Sequence, residues 1–471
     1  MQPATSNIFI LGCIIAMLLP ASADQLDEYI QEGLENNLSL RQQLSDRQSA
    51  DESLYEARSQ FFPSLWFKSR YTRADGGRSV TIPVGEILLE SFRNSPLITQ
   101  SGNVTPPDPV TVYIMPETEQ ETKLQLTQPL FAPALVANYR MNRSLLSVRE
   151  MATQAAALTL IRDIRLAYYT CLQAAEGKML YDASCKRSGR QLYTAQKLFE
   201  AGMLSESSVL GAQAEHARNE TALARSRVDF DNACKAFNLL LNRPLETPPT
   251  LVSPDSNEVA SLLSLEVQAD APYDSLARLF RPELRQLEAA TTASRSYLSV
   301  EKSGFAPTLA AAFEGGIIGD RFEITDRSTF YTASVLLQWE LFSGLGRMHK
   351  IRKAHAAIEK IEEQRAETAQ RIRLQVEKAC SDLELAQKEY RTSGLQLQAA
   401  DKNYLSVLKR FDQGAATSTE MTEAGVILTK TEVGRSVARY ELFKQQAHLF
   451  YAAAMDIDSL PTRLSIKGRK K

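Results

Sequence analysis

Two hydrophobic rhythms run along this chain. In the first, apolar residues recur at intervals of three and four: Leu158, Ile161, Ile164, Tyr168, Leu172, Ala175 and Met179, and again Ile372, Val376, Ala379, Leu383, Ala386 and Tyr390. That is the period of an amphipathic helix. The seams are narrow and flanked by Ala, Gln, Ser, Arg and Glu, which predicts coiled-coil packing rather than the broad apolar face of a globular core helix. Proline is absent between Pro133 and Pro244 and between Pro307 and Pro461. Because proline breaks helix interiors, these gaps admit very long helices. A helix over about Ala134–Ala201 would extend on the order of 100 Å at ~1.5 Å per residue, too long for a compact domain.

The second rhythm has period two. Leu65, Phe67 and Tyr71 alternate with Trp66, Lys68 and Arg70, and Leu124 and Leu126 with Gln125 and Thr127. Leu309, Ala311 and Phe313 alternate with Ala310, Ala312 and Glu314. The fourth segment sets Tyr331, Ala333, Val335, Leu337 and Trp339 against Thr332, Ser334, Gln338 and Glu340. Strands of about ten residues with aromatics at their ends suit a transmembrane barrel, apolar toward lipid and polar toward a lumen. Lys68, Arg70, Gln125, Glu314, Gln338 and Glu340 would then face the lumen. A soluble sheet with one buried face gives the same alternation, so the rhythm alone leaves both readings open.

The two rhythms are duplicated. "QPLF" at 128–131 recurs as "WELF" at 339–342, and "LFEAG" at 198–202 as "RFDQG" at 410–414, offsets of 211 and 212 residues. "FFPSL" at 61–65 recurs as "FAPTL" at 305–309, so the first copy carries about 33 more residues between its proline and its strand end. Two copies of strand, strand, long helix, turn, long helix account for the pattern. Four strands cannot close a barrel, and open sheet edges are not tolerated in lipid, so a membrane reading requires several chains to share one barrel.

The N-terminus points to export. Ile8–Leu19 is an apolar core and Ala21-Ser22-Ala23 a small-x-small site, so cleavage is expected after Ala23, although the preceding "MQPATSN" lacks Lys and Arg. Cys13 in "ILGC" lies inside the apolar core, which argues against lipidation there. Beyond Ala23 no apolar run approaches the ~18 residues of a membrane-spanning helix. Composition adds mainly exclusions. Lys+Arg 54 against Asp+Glu 56 gives none of the basic excess that nucleic-acid phosphates favour. Five cysteines in 471 residues are too few and scattered for a disulfide scaffold. The four histidines (216, 349, 355 and 448) show no metal-ligand spacing, and no cofactor is expected. Cys171 and Cys234 lie equally far from a turn near Met203, so they would face each other as buried thiols or as a disulfide.

Taken together, "SLYEARSQFFPSL", "YLSVEKSGFAPTL", "LQLTQPLF", "LLQWELFSGLGR", "FNLLLNRPL" and "RPELRQLEAA" resemble the TolC family of outer-membrane efflux and secretion channels, over nearly all of the chain after the leader. Each motif is weak singly; their order and duplicated spacing carry the resemblance. It implies an α+β membrane protein in the outer membrane. Long helical hairpins would form a periplasmic α-barrel, and four strands per chain would contribute to the 12-stranded β-barrel of a homotrimer. It implies no enzymatic chemistry. Cargo would pass from an inner-membrane transporter of RND or ABC type through a periplasmic adaptor to the outside, in small-molecule efflux or in type I protein secretion. The different-class alternative is a soluble periplasmic coiled-coil scaffold. The expected divisions are a leader (1–23), a first repeat (24–241, tip near 202–208), an equatorial linker (242–272), a second repeat (273–457, tip near 411–423) and a tail (458–471).

The tips hold the candidate functional residues. Gly202 and Gly414 suit the left-handed position that ends a helix, and Ser205 or Ser207 and Thr417–Thr419 can cap the next one. Glu206 and Glu420 fall near the positive end of those following helices. The resemblance adds adaptor docking at Gly202, Ser205, Gly414 and Thr417. It also adds a pore constriction at Glu420 and Glu423, three apart on one helix face, with Phe411 close by. A ring of such carboxylates selects for cations. This chain departs from the best-known members: Ala416 stands where they have Arg, Phe411 where they have Tyr, and Ser208 where the first tip has an acid. Their closed-tip bonds cannot all form here. The extra residues of the first repeat, 74–116, fall in an extracellular loop, either a variable loop or a lid over the barrel mouth. "GRMHKIRKAH" after the fourth strand reads as a basic helix start near the membrane surface.

Overall fold

The structure is a computed structural model that describes residues 21–75, 79–93, 107–113, 117–265 and 272–459. Most of the expected leader, the tail beyond 459 and parts of the 74–116 loop lie outside the described residues. Two helices open the chain, α1 (Ala21–Asn36) and α2 (Leu38–Ser59), followed by β1 (Ser64–Arg73). The loop holds β2 (Ser79–Ile82), α3 (Val84–Arg93) and β3 (Val110–Tyr113). Then come β4 (Thr118–Phe131), α4 (Pro133–Glu200), α5 (Glu206–Leu241), α6 (Ser256–Ser264), α7 (Pro272–Phe280) and α8 (Pro282–Ser303). The second copy continues with β5 (Thr308–Gly319), β6 (Thr329–Gln338), α9 (Gly346–Asp412) and α10 (Ser418–Ala452). A short 3-10 turn, Met455–Ser459, follows.

The chain divides into two compact units. One takes in Ser53–Asn142 and Ser294–Ala356 and contains the strands; the other takes in the chain up to Glu52, Arg143–Ala293 and the chain from Ala357. In the strand unit, β1, β4, β5 and β6 form one antiparallel sheet in that order, and β2 and β3 a separate two-stranded ribbon. The described part of the 74–116 loop thus carries a ribbon of its own. "SVTI" and "VTVY" carry their own β-branched alternation and pair residue for residue.

In the helical unit, α4 runs 68 residues and α9 runs 67. Pro133 sits at the first position of α4, where its missing N–H costs nothing. The predicted seams are the core. Ile161, Ile164, Tyr168 and Leu172 are buried with Tyr29 and Leu34 of α1 and Phe237 and Leu241 of α5, and Leu158 is buried as well. Ile372, Val376, Ala379, Leu383 and Ala386 are buried with Leu442, Phe443 and Leu449 of α10 and Val259 and Leu262 of α6. Three seam positions differ from expectation, Ala175 being only half-buried. Met179 is exposed, because the α4 contact passes there from apolar to polar side chains. Tyr390 is half-buried, its ring covered by the Arg435 guanidinium at 3.4 Å. Cys171 and Cys234 do face each other in the hairpin core. They are free thiols in hydrogen-bond contact, and burial pushes the Cys171 thiol well above its ordinary range. Among the described residues, no helix is long and apolar enough to cross a membrane.

Candidate functional site: a two-faced sheet and paired helical tips

Register sorts the sheet into two faces. Leu65 pairs Leu126, Phe67 pairs Leu124, and Leu126 pairs Phe313. Phe313 pairs Ala333, Ala311 pairs Val335, and Leu309 pairs Leu337. These residues share one face, and that face is bare: Phe67 is 70% exposed, Tyr331 81% and Val335 67%. Every residue of β1 is exposed. A soluble sheet of this alternation would bury its apolar side. A contiguous exposed apolar surface of this kind marks contact with a partner or a membrane.

The opposite face carries the charged and amide side chains, with Trp66, Phe330 and Leu336 also on it. Arg70 pairs Glu121, Lys68 pairs Lys123, Gln125 pairs Glu314, and Thr308 pairs Gln338. Lys68, Arg70, Gln125, Glu314 and Gln338 therefore lie on one face, as the alternation predicted. Sequence reasoning missed Lys123 and Glu121 at its centre. Lys123 bridges Glu121 (2.8 Å) and Glu314 (3.0 Å), and Arg70 reaches Glu121 at 3.3 Å. Glu340 departs from the prediction. It lies beyond the end of β6, and its carboxylate pairs with Arg347 at 2.6 Å where the chain turns toward α9. The edge strands β1 and β6 are each paired on one side only.

The two tips are built alike. Gly202 (φ 76°) donates to the Phe199 carbonyl at 2.8 Å while Met203 donates to Leu198 at 2.8 Å. Gly414 (φ 75°) donates to Phe411 at 2.9 Å and Ala415 to Arg410 at 2.7 Å. This paired 6→1 and 5→2 closure with glycine in the left-handed region is the Schellman motif. The caps that follow differ. Thr417 accepts from the Glu420 N–H at 3.2 Å while Glu420 accepts from the Thr417 N–H at 3.4 Å, a complete capping box. Ser205 makes no cap bond; its hydroxyl meets those of Ser207 and Ser208.

The acidic pair is therefore not equivalent. Glu420 is held by its cap and by Arg410 at 3.2 Å, whereas Glu423 is exposed and, among the described residues, carries no hydrogen bond or ion pair. Phe411 is buried with Val407, Met421 and Ala424, and Leu198 of the first tip and Ala416 pack against that cluster. Its ring is a packing anchor of the turn.

Behind the tips, polar side chains tie the two hairpins together. Arg187 makes a bidentate pair with Glu432 (3.1 and 2.6 Å) and also reaches Thr429 at 3.1 Å. Ser184 donates to Asn219 at 2.7 Å and meets Thr429 at 2.8 Å, and Gln191 donates to Thr422 at 2.7 Å. The sequence held a signal for this. Ser184, Ser188, Gln191, Ala195 and Leu198 keep the four-three spacing of a seam, with polar residues where apolar ones were sought.

The profile of the outer membrane efflux protein family matches residues 29–243 and 274–454. The chain belongs to the outer membrane efflux protein family. Its fold agrees with solved structures of outer membrane channels. It superposes on the CmeC outer membrane channel of Campylobacter jejuni with a TM-score of 0.75, at 14% identity, covering 91% of this chain and 85% of that one. The MtrE outer membrane channel of Neisseria gonorrhoeae, in its open state, gives 0.72 at 16% identity, covering 91% and 88%. In sequence, outer membrane protein TolC of Salmonella enteritidis is 23% identical over 305 residues, 63% of this chain and 53% of TolC. The chain thus spans about half the length of the curated relative it matches. Like other outer membrane efflux proteins, it is an outer-membrane protein that extends into the periplasm.

Proposed function

We propose that this chain is the channel subunit of a tripartite export assembly, a passive conduit in small-molecule efflux or type I protein secretion. Three copies would join β6 of one to β1 of the next, giving twelve strands with no free edge. A single observation carries this reading: a four-stranded sheet with an exposed apolar face, a polar ion-paired face and two unpaired edges. In lipid such edges must be closed by other chains. The polar face would line the lumen, with Lys68, Arg70, Gln125, Glu314 and Gln338 toward the cargo.

The paired turns at Gly202/Ser205 and Gly414/Thr417 would dock a periplasmic adaptor that connects to an energised inner-membrane transporter, RND or ABC in type. Constriction at the tip would fall to Glu420 and Glu423, with the free carboxylate of Glu423 carrying most of the field and Phe411 supporting the turn. Three such carboxylates on one axis favour cations. The test is cross-linking between subunits. With the native cysteines replaced by Ala, one cysteine at Ser69 and another scanned through 329–338 should give covalent trimers from outer membranes at some position. Failure of every position, with only monomers in the membrane fraction, would overturn the shared barrel.

A further inference from the structure

The turn that joins β6 to α9 is apolar and bare. Leu341 and Phe342 are each 79% exposed, and Trp339 and Leu345 are also more exposed than buried. The Trp339 ring is uncovered although its Nε1–H donates to the Phe305 carbonyl at 3.0 Å. An amphipathic ring of this kind settles at a membrane–water interface. Gln338 ends β6, so the turn continues a strand of the bare apolar face. The helix that follows starts against the usual preference. Helix N-termini favour acids and disfavour bases. Yet α9 carries Arg347, Lys350, Arg352 and Lys353 in its first turns and meets no acid before Glu359. Arg347 is engaged, paired with Glu340 at 2.6 Å and lying over the Phe305 ring. Lys350, Arg352 and Lys353 are exposed and, among the described residues, carry no hydrogen bond or ion pair. The fold does not require them. At the repeat offset of 211 residues, the matching start of α4 has Tyr139, Met141 and Asn142.

We infer that this segment docks on the periplasmic leaflet of the outer membrane and selects anionic phospholipid there. Trp339, Leu341 and Phe342 enter the boundary of the acyl chains, and Lys350, Arg352 and Lys353 meet the headgroup phosphates. Two arguments select this occupant. The apolar turn continues a bare sheet face in an outer-membrane protein, so lipid is the apolar phase within its reach. The three free cations call for an excess of negative charge, which an anionic surface supplies and a zwitterionic one lacks. The reach agrees. Lys350 and Lys353 lie about 6 and 10 Å past Gly346 at ~1.5 Å per residue. That matches a headgroup layer of roughly 5–8 Å once the flexible stems snorkel back toward it. Such docking holds the barrel at a fixed depth where its helices leave the membrane. The inference rests on the apolar face of the sheet meeting lipid, and it uses neither the tips nor the cargo.

The test is fluorescence quenching in the purified assembly, reconstituted into phosphatidylcholine vesicles. The chain has two tryptophans, so Trp66→Phe leaves Trp339 as the only reporter. A minor fraction of the lipid is brominated phosphatidylglycerol or, in parallel, brominated phosphatidylcholine. Phosphatidylglycerol should quench Trp339 more strongly, with a relative association of about fivefold or more, the worth of one basic residue near an anionic surface. High salt should reduce that preference. Lys350→Gln, Arg352→Gln and Lys353→Gln combined should bring the two lipids level. Lys350→Arg, Arg352→Lys and Lys353→Arg combined should keep the preference. Equal quenching by the two lipids in the Trp66→Phe chain overturns the inference, as does a preference unmoved by the triple Gln variant. Quenching by neither lipid would mean that a neighbouring subunit covers the turn, which also overturns it. A chain that does not insert into vesicles at all would remove the channel reading together with the inference; insertion with level quenching removes the inference alone.

Discussion

Replacing Glu432 by Gln should loosen the second hairpin from the first. Glu432 and Arg187 are each about 20% exposed, and Arg187 holds both carboxylate oxygens. A cavity of about 20 Å3 lined by Arg187 and Thr429 leaves room for little more than one water to compensate. Hydrogen bonds to charged groups contribute roughly 1.5–3 kcal/mol, and residual solvent contact discounts this toward about 1–2 kcal/mol. The amide can keep one of the two bonds but not the charge. Local opening of α10 around Thr429 should then become about 5–30-fold easier, at about 1.4 kcal/mol per tenfold. Amide hydrogen exchange reads that opening directly. Protection over 425–436 should fall by that factor while protection over 158–168 stays unchanged. Arg187→Met with Glu432→Leu, which leaves no unpaired charge, should recover most of it. Unchanged protection in Glu432→Gln would refute the interlock, and a uniform fall along the whole chain would show a global rather than a local role.

Three further outcomes follow from the tips and the helical core. In salt-gradient recordings, Glu423→Gln should reduce cation preference more than Glu420→Gln, whose charge Arg410 already offsets, and Arg410→Gln should raise it; equal effects of the two Gln variants would remove the distinction. Thr417→Ala should cost the second tip about 1 kcal/mol for its lost cap, against almost nothing for Ser205→Ala, as judged by hydrogen exchange of the first turns of α10 and α5. Burial, with the Arg162 charge nearby, holds His448 below its ordinary range despite Glu441 and Asp382, while Lys378 adds to the lowering. Stability from the neutral ring is thus full above about pH 6.5 and is lost as pH falls through the lower folded value; His448→Gln should flatten the fall in urea midpoint below pH 6.5.

Much of this architecture was legible because its signals are periodic. Seven-residue spacing at Leu158–Leu172 and Ile372–Ala386 and period two at Tyr331–Leu337 each bury or expose one face, so pattern alone places them. The turns were legible because a left-handed residue favours glycine, hence Gly202 and Gly414. What remained hidden depends on partners distant in sequence. Nothing local tells Ser184 and Arg187 that Thr429 and Glu432 lie opposite, so a polar seam reads as surface. Likewise Glu420 and Glu423 look alike in sequence. Only the fold brings Arg410 and the Thr417 cap to the first and leaves the second free. Glu340 was misplaced because the alternation says nothing about where pairing stops, two residues earlier.

The claim that one face of the sheet meets lipid and the other lines a water-filled lumen can be tested by single-channel current in planar bilayers. With the native cysteines replaced by Ala, Ser334→Cys puts a thiol on the polar face and Val335→Cys puts one on the apolar face. A charged, water-soluble thiol reagent should reduce the current through Ser334→Cys channels in three steps, one per subunit, and leave Val335→Cys channels unchanged. Block of both variants alike, or no conductance from the wild-type chain, would contradict the account.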